Sequence, residues 1–309
     1  MPNRLPTRRE AIIELVCCAV FLIVTAAFVG LRPEHILIIV VFNVLFFASL
    51  FTRKLAVALI PFALFGISYD WMRIWPNYEV NPIDVQPLYE TEKALFGIVS
   101  EGVRMIPGEY FNLHHTALAD FFAGIFYLCW VPVPIAFGLW LYFKKERRHY
   151  LHFAIAFLFV NLLGFCVYYI HPAAPPWYVI NYGFEPVIDT PGNVAGLGRF
   201  DQLVGVGIFD SLYGRNANVF AAVPSLHASY MLIAFIYAVI SRRSLFIKCL
   251  FAFITLGIWC TAVYSCHHYI VDVLLGILCA LVGIVCLEKG LMQLPPFRRF
   301  VDKYVAYIS

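Results

Sequence analysis

The sequence predicts an all-α, polytopic membrane protein of about eight transmembrane helices, and three observations lead there. Of its 309 residues, 62% are hydrophobic and only 13% are charged, against about 25% charged in an ordinary soluble domain. Apolar runs of about twenty residues, the length that crosses a hydrocarbon core of roughly 30 Å, recur along the chain. Between them sit short clusters of Arg and Lys, which leave a net charge of +3, too small and too dispersed for a nucleic-acid partner.

In chain order, Arg4, Arg8 and Arg9 precede a first apolar run over residues 11–31. With no clear small-residue cleavage site after it, this run reads as a retained anchor and not a removable signal peptide. A second span is expected over 35–51 and a third over 55–75, whose far end carries Asp70 and Arg73 at i, i+3 spacing. Residues 76–116 are mixed, with Pro76, Pro82, Pro87 and Pro107 breaking helices, and fit an interfacial segment of short amphipathic pieces. A fourth span, 117–143, should be kinked by Pro132 and Pro134, and a fifth covers 150–170. Residues 171–223 form a loop of about fifty residues rich in Pro, Gly, Asn and Asp, and a loop that long is functional or disordered. Its aromatic residues Trp177, Tyr178, Tyr182 and Phe184 favour a functional one. Spans over 224–240, 245–266 and 269–287 follow, then a basic tail, 289–309. The organisation is therefore two N-terminal helices (1–54), a six-helix core (55–288) and the tail. The nine cysteines, Cys17, Cys18, Cys166 and Cys279 among them, mostly lie inside apolar runs without zinc-site spacing and read as small packing residues.

Alternating sides across eight spans puts sixteen Lys and Arg on the side of both termini. Six fall on the other: Arg32, Arg73, Lys93, Arg104, Arg199 and Arg215. The positive-inside rule then makes the termini cytoplasmic. It also places Pro224-Ser225-Leu226-His227 and His267-His268-Tyr269-Ile270-Val271-Asp272 together on the periplasmic or lumenal face, where Arg73, Arg104, Arg199 and Arg215 are also available to an anionic ligand.

Ionisable groups within membrane spans are expensive and point to function. His268 and Asp272 are four residues apart, a spacing that puts them side by side on one helical face. Ser225 is a candidate N-cap, which sets His227 in the first turn of a helix, where free N–H groups and the dipole favour an anion such as phosphate. Together these residues specify phosphoryl chemistry without a metal or cofactor. His268 attacks phosphorus, Asp272 fixes its tautomer and stabilises its cation, and His227 protonates the leaving alkoxide. His267, five residues from Asp272, points about 140° away around a helix and takes a supporting role. Phosphate contacts are expected from Arg215 first, then from Arg199, Ser225 and His267. Residues that would recognise a polyol stay open among Asp189, Asp201, Asp210 and Asn216.

Pro-Ser-x-His followed by His-x-x-x-Asp resembles the second and third motifs of the type 2 phosphatidic acid phosphatase superfamily. Two departures stand out: Thr261-Ala262 occupy the places of the usual Ser-Arg pair, and no Lys-rich first motif ending Arg-Pro is recognisable. A narrower resemblance is to the fungal inositol phosphorylceramide synthases. It is carried by Pro-Ala-Ala-Pro-Pro-Trp-Tyr at 172–178, Gly-Leu-Gly-Arg-Phe-Asp at 196–201, Val-Phe-Ala-Ala-Val-Pro-Ser-Leu-His-Ala at 219–228 and His-His-Tyr-Ile-Val-Asp at 267–272. Leu-Phe-Gly at 95–97, Pro-Gly-Glu-Tyr-Phe at 107–111 and Tyr-Leu-Cys-Trp-Val-Pro-Val-Pro at 127–134 extend it, so that roughly residues 70–285 are covered. The resemblance implies a six-helix catalytic core and a transferase that moves phosphoinositol from phosphatidylinositol to the primary hydroxyl of ceramide, releasing diacylglycerol, with His268, Asp272 and His227 in the family's roles. The alternatives are a metal-independent lipid phosphate phosphatase, in which water resolves the phosphohistidine, and a lipid binder whose polar residues only grip a headgroup. No feature of the sequence specifies a protein partner.

Overall fold

The structure, a computed structural model, describes residues 5–214 and 218–309. Each of the eight apolar stretches is helical. Helix α1 (Arg8–Phe28) starts at a capping box in which Thr7 and Glu10 satisfy each other's backbone amides, and α2 (Pro33–Ala48) returns beside it. The third stretch is broken: α3 (Leu50–Ala58) and α4 (Ile60–Trp71) meet at an angle of 46°. Pro61 lies at the break, where it cannot donate to the preceding turn.

The interfacial segment folds into α5 (Gln86–Phe96), a hairpin of β1 (Ile98–Ser100) and β2 (Val103–Met105), and α6 (Pro107–Leu113). The hairpin is a small departure from an all-α chain. Its turn residues Glu101 and Gly102 both take positive φ, a local signal hidden within a mixed sequence.

The fourth stretch splits into α7 (Ala117–Leu128) and α8 (Pro132–Phe143), as the two prolines require. Helix α9 (Arg147–Ile170) is the central member, about 36 Å long at 1.5 Å per residue. Its Phe153 and Phe157 are fully buried among Phe62, Phe137 and Tyr237. Polar groups inside this core are paired: the Tyr230 hydroxyl donates to Asn161 Oδ1 (2.7 Å), and the Tyr150 hydroxyl to the Ala58 carbonyl (2.6 Å).

Residues 171–223 are not a structureless loop. They hold α10 (Pro176–Tyr182), α11 (Gly198–Val204) and α12 (Ile208–Tyr213). Backbone hydrogen bonds stitch Ala173 to Phe220 and Ala222, and Ala174 to Asp84. Asn77 clamps the far end by donating to the carbonyls of Tyr168 and Phe220, both at 2.8 Å. Frequent Pro and Gly limit these helices to six or seven residues, below the length at which hydropathy periodicity is readable.

Helices α13 (Leu226–Ile240), α14 (Leu245–Tyr264) and α15 (Ile270–Val285) complete the bundle, with α15 prolonged through a wider and then a tighter turn to Gln293. The tail forms α16 (Pro295–Ile308), which docks instead of trailing away. The Tyr304 hydroxyl donates to the Val57 carbonyl (2.6 Å), Arg147 to the Ile308 carbonyl (3.1 Å) and Tyr307 to Glu10 (3.2 Å). The start of α1 and the end of α16 thus meet near the start of α9, opposite the end where Asn77 clamps the loop. At that opposite end Asp70 accepts from Arg32, Arg73 (3.3 Å) and His35 (3.0 Å), tying the start of α2 to α4. Five helices among the described residues are long and apolar enough to cross a membrane, six if the bent pair counts as one span; α2 and α13 are apolar but shorter.

One helix contact sets the register of everything at the clamped end. Ser225, the N-cap of α13, donates its amide to the Asp272 carbonyl of α15 (2.9 Å), and Ser229 Oγ donates to the Gly276 carbonyl (2.8 Å). A Cβ on Gly276 would lie 2.1 Å from the Ser225 carbonyl oxygen, and that oxygen is backbone and cannot swing aside. In Gly276→Ala a gain in helix propensity of about 1 kcal/mol therefore opposes an overpacking penalty of about 1–3 kcal/mol or more, and the penalty should win. Thermal unfolding in detergent is expected to show a lower midpoint for Gly276→Ala; an unchanged or raised midpoint would remove this contact from the account.

Candidate active site

The site is assembled from two chain turns that the Ser225–Gly276 contact brings together. The first is the start of α13, where Ser225 Oγ accepts from the Ala228 amide (3.4 Å) as the N-cap. That cap leaves His227 as the second residue of the helix. The second is the turn from α14 into α15. Both the His267 and His268 amides donate to the Ala262 carbonyl (3.1 and 3.0 Å), and Cys266 is held at φ 60°. A non-glycine residue there is strained and needs its surroundings to hold it. Those are present: the Cys266 carbonyl accepts from Trp177 N, the Ser265 carbonyl accepts from Gly196 N, and Cys266 Sγ donates to the Gly108 carbonyl.

His268 and Asp272 are neighbours, but not because they share a helical face. Helix α15 begins at Ile270, two residues after His268. Asp272, in the first turn, reaches back to accept from the Tyr269 amide (2.9 Å), and the same Oδ2 lies 3.4 Å from His268 Nδ1. The pairing is a property of the helix start and not of helical periodicity. The next two amides, Ile270 and Val271, donate to the two oxygens of Glu92 on α5 (2.9 and 3.1 Å). Two carboxylates thus serve three otherwise orphaned N–H groups at the positive end of the helix dipole. Glu92 is buried, which raises its pKa while those two amides lower it.

The other side of the His268 ring faces His227, with Nε2 2.9 Å from His227 Nδ1. His227 Nδ1 also lies 3.1 Å from the hydroxyl of Tyr127 on α7, and the Trp130 ring stands edge-on to the imidazole at 4.4 Å between centroids. His267 turns to the same space: its Nδ1 meets Ser265 Oγ (3.1 Å), and Tyr213 packs on its ring at 4.4 Å. Burial pushes His268, in the turn outside the helices, down to about 4, so its imidazole is neutral near pH 7. The three histidines border a cavity of about 240 Å³ whose other walls are largely aromatic, including Trp130, Tyr168, Trp177 and Tyr213.

The remaining expected ligands are distributed unevenly. Ser225 is fully buried and its hydroxyl serves the helix cap. Arg199 is engaged elsewhere, its Nε donating to Asp120 (2.6 Å) and its Nη1 to Asn112 (3.2 Å), with the Tyr264 ring beneath it. Asp120 accepts from the Tyr264 hydroxyl as well (2.8 Å). Arg215 lies outside the described residues; Tyr213 and Asn218, near it in sequence, border the cavity. Glu92 and Tyr127 leave no local signal in the sequence, since each meets its partners across more than 90 residues.

A model of the PAP2 superfamily matches residues 102–286, more than half of the chain and both histidine turns. This chain belongs to the PAP2 superfamily. It is similar to the phosphoinositol dihydroceramide synthase of Bacteroides thetaiotaomicron, with 66% identity over 305 residues covering 99% of this chain and 100% of that relative. The inositol phosphorylceramide synthase catalytic subunit aur1 of Schizosaccharomyces pombe is 35% identical over 79% of this chain and 56% of its own length. The corresponding subunit AUR1 of Saccharomyces cerevisiae is 34% identical over 38% of this chain and 29% of its own. No solved structure matches the chain. Within this PAP2 chain the departure at Thr261-Ala262 has a structural counterpart. Ala262 is fully buried, and its carbonyl accepts from the amides of His267 and His268, so the place of the usual arginine lies directly at the histidine turn.

Removing the Glu92 carboxylate should loosen the start of α15 and, through it, the Asp272–His268 pair. Glu92→Ala leaves two buried amides unpaired, at about 1–3 kcal/mol each, whereas Glu92→Gln keeps one acceptor and should fall between. Unfolding midpoints in the order wild type, Gln, Ala are expected; an Ala variant as stable as wild type would contradict the capping role.

Proposed function

We propose that this chain is a phosphoinositol transferase, which moves the headgroup of phosphatidylinositol to the primary hydroxyl of ceramide and releases diacylglycerol, an inositol phosphorylceramide synthase reaction. The observation that carries the reading is the row of Asp272, His268 and His227 at the wall of an aromatic cavity, with His268 Nδ1 3.4 Å from the Asp272 carboxylate and its Nε2 2.9 Å from His227 Nδ1. The names of the relatives, the first of them matched over its whole length, supply the substrate classes.

In this mechanism Asp272 holds the His268 proton on Nδ1 and leaves the Nε2 lone pair for attack. A bond forms between Nε2 and phosphorus as the bond from phosphorus to the diacylglycerol oxygen breaks, and His227 gives that oxygen its proton. The ceramide hydroxyl then loses its proton to His227 and attacks phosphorus, and the His268–phosphorus bond breaks. Two in-line displacements restore His268, and one proton has passed through His227. Asp272 balances the positive charge on the phosphorylated imidazole. Nothing in the sequence of steps requires a metal.

For the phosphate oxygens we assign His267, at the cavity wall, and Arg215, with the start of α13 at Ser225 presenting its dipole and Arg199 adding positive potential from behind the turn. The aromatic cover from the 171–223 segment, Trp177 and Tyr213 above all, restricts water and so favours a lipid alcohol as acceptor. We further assign eight membrane crossings: α1, α2, the bent pair α3–α4, α7–α8, α9, α13, α14 and α15. The last six form the catalytic core, 55–288, behind two added N-terminal helices. The basic residues at the start of α1 and along α16 support cytoplasmic termini, with the site on the periplasmic or lumenal face.

Purified protein given phosphatidylinositol labelled in the inositol ring, together with ceramide, should yield a labelled lipid that survives mild alkali. His268→Ala and Asp272→Asn are expected to lose this activity by at least about a hundredfold while remaining folded. Release of water-soluble inositol phosphate with no labelled lipid would instead make the protein a phosphatase, and binding without turnover a lipid carrier.

A further inference from the structure

The hydroxyl of Tyr127 meets the histidine that handles the proton, at an atom that must change partners during the reaction. His227 Nδ1 has two neighbours within hydrogen-bonding distance, His268 Nε2 at 2.9 Å and Tyr127 Oη at 3.1 Å. One ring nitrogen carries either a single proton or a single lone pair, so the two contacts alternate. In the free enzyme the Asp272 carboxylate, 3.4 Å from His268 Nδ1, favours the tautomer with the proton on Nδ1, and in that tautomer His268 Nε2 accepts from His227 Nδ1–H. Once Nε2 bonds to phosphorus it can no longer accept. His227 then has an N–H in a buried site with its first partner gone, at the stage when its Nε2 must exchange a proton with substrate.

We propose that Tyr127 is a positioning residue that receives the His227 Nδ1–H bond whenever His268 Nε2 is engaged with phosphorus. Tyr127 is completely buried, and its ring lies 5.2 Å from that of His227 and 5.6 Å from that of His267. Its oxygen is therefore placed by packing and is present throughout the cycle. With Nδ1–H held on Tyr127, His227 Nε2 is aimed at the substrate oxygens and passes one proton. It gives the proton to the diacylglycerol oxygen in the first displacement and takes one from the acceptor hydroxyl in the second. The bond also stabilises the imidazolium form that the first displacement needs. The other titratable groups around His227 and Tyr127 are His268 and His267 from the turn before α15, Tyr230 on the helix of His227, and Tyr213 from α12, which faces Tyr127 and packs on His267, with Asp272 behind His268. Among the described residues, Tyr127 Oη and His268 Nε2 are the two that contact Nδ1. The inference rests on the transferase mechanism proposed above.

The test is the pH dependence of kcat for Tyr127→Phe, measured with both lipids saturating. Phenylalanine keeps the ring and removes only the oxygen. We expect kcat to fall by about tenfold to a hundredfold with KM for each lipid little changed. The basic limb of the profile, where His227 loses its proton in the complex, should move to lower pH because the imidazolium has lost its acceptor. An unaltered kcat and basic limb would overturn the inference, as would a fall in kcat with the limb in place, since a space-filling role would do no more. If Tyr127→Phe does not fold, a ring-fluorinated tyrosine at 127 retains the hydroxyl as a weaker acceptor and should move the limb in the same direction by less; no movement overturns the inference. Wild-type protein that fails to make the labelled lipid would refute the transferase reading itself, and the inference with it.

Discussion

The approach of the Ser225 carbonyl to Gly276 is the constraint on which the rest of the site depends. It lets the start of α13 lie directly on α15, so that the Ser225 amide finds the Asp272 carbonyl and His227 comes within 2.9 Å of His268. Two side-chain interactions at the start of α15 complete the arrangement. Asp272 and Glu92 accept from three successive amides, and the same Asp272 oxygen faces His268. One carboxylate serves both the helix start and His268, so on the proposed mechanism loosening the helix start also changes the nucleophile.

The chemistry follows from how charge is distributed around the cavity. Its walls are mostly aromatic, which keeps the local dielectric low and strengthens each polar contact that remains. A neutral His268 is the form a nucleophile requires, and burial alone produces it. In the proposed mechanism the positive charge that forms on its ring during attack is met by Asp272, and the negative charge that the phosphodiester brings into the site favours a protonated His227 at the moment an acid is needed. Arg199, which a sequence motif would nominate for the phosphate, is committed to Asp120, Asn112 and the Tyr264 ring, where it braces the turn behind the histidines.

The parts of this arrangement that rest on hydropathy were legible without coordinates. Helical stretches, the Pro132/Pro134 break and the nearness of the two histidine motifs all follow from apolar run length, proline chemistry and the alternation of basic clusters. The His268–Asp272 pairing was also legible, though for a mistaken reason: spacing of four suggested a shared helical face, whereas the helix begins after His268 and the aspartate reaches backward as a cap. The short helices of residues 171–223 were hidden because six or seven residues carry too little periodicity. Glu92 was hidden because its partners lie 178 and 179 residues away, and Tyr127 because its hydroxyl meets His227 across 100 residues. Pairings at that range leave no local pattern to read.

The central claim is covalent: the phosphoinositol group rests on His268 between donor and acceptor. Its most direct test is to incubate the protein with phosphatidylinositol labelled at phosphorus in the absence of any lipid alcohol, quench in denaturant at alkaline pH, and map the label by peptide mass spectrometry. The account predicts one acid-labile, alkali-stable phosphoinositol adduct on His268, discharged to lipid when ceramide is added before the quench. Transfer that proceeds with no adduct, or with the label on any residue other than His268, would contradict it.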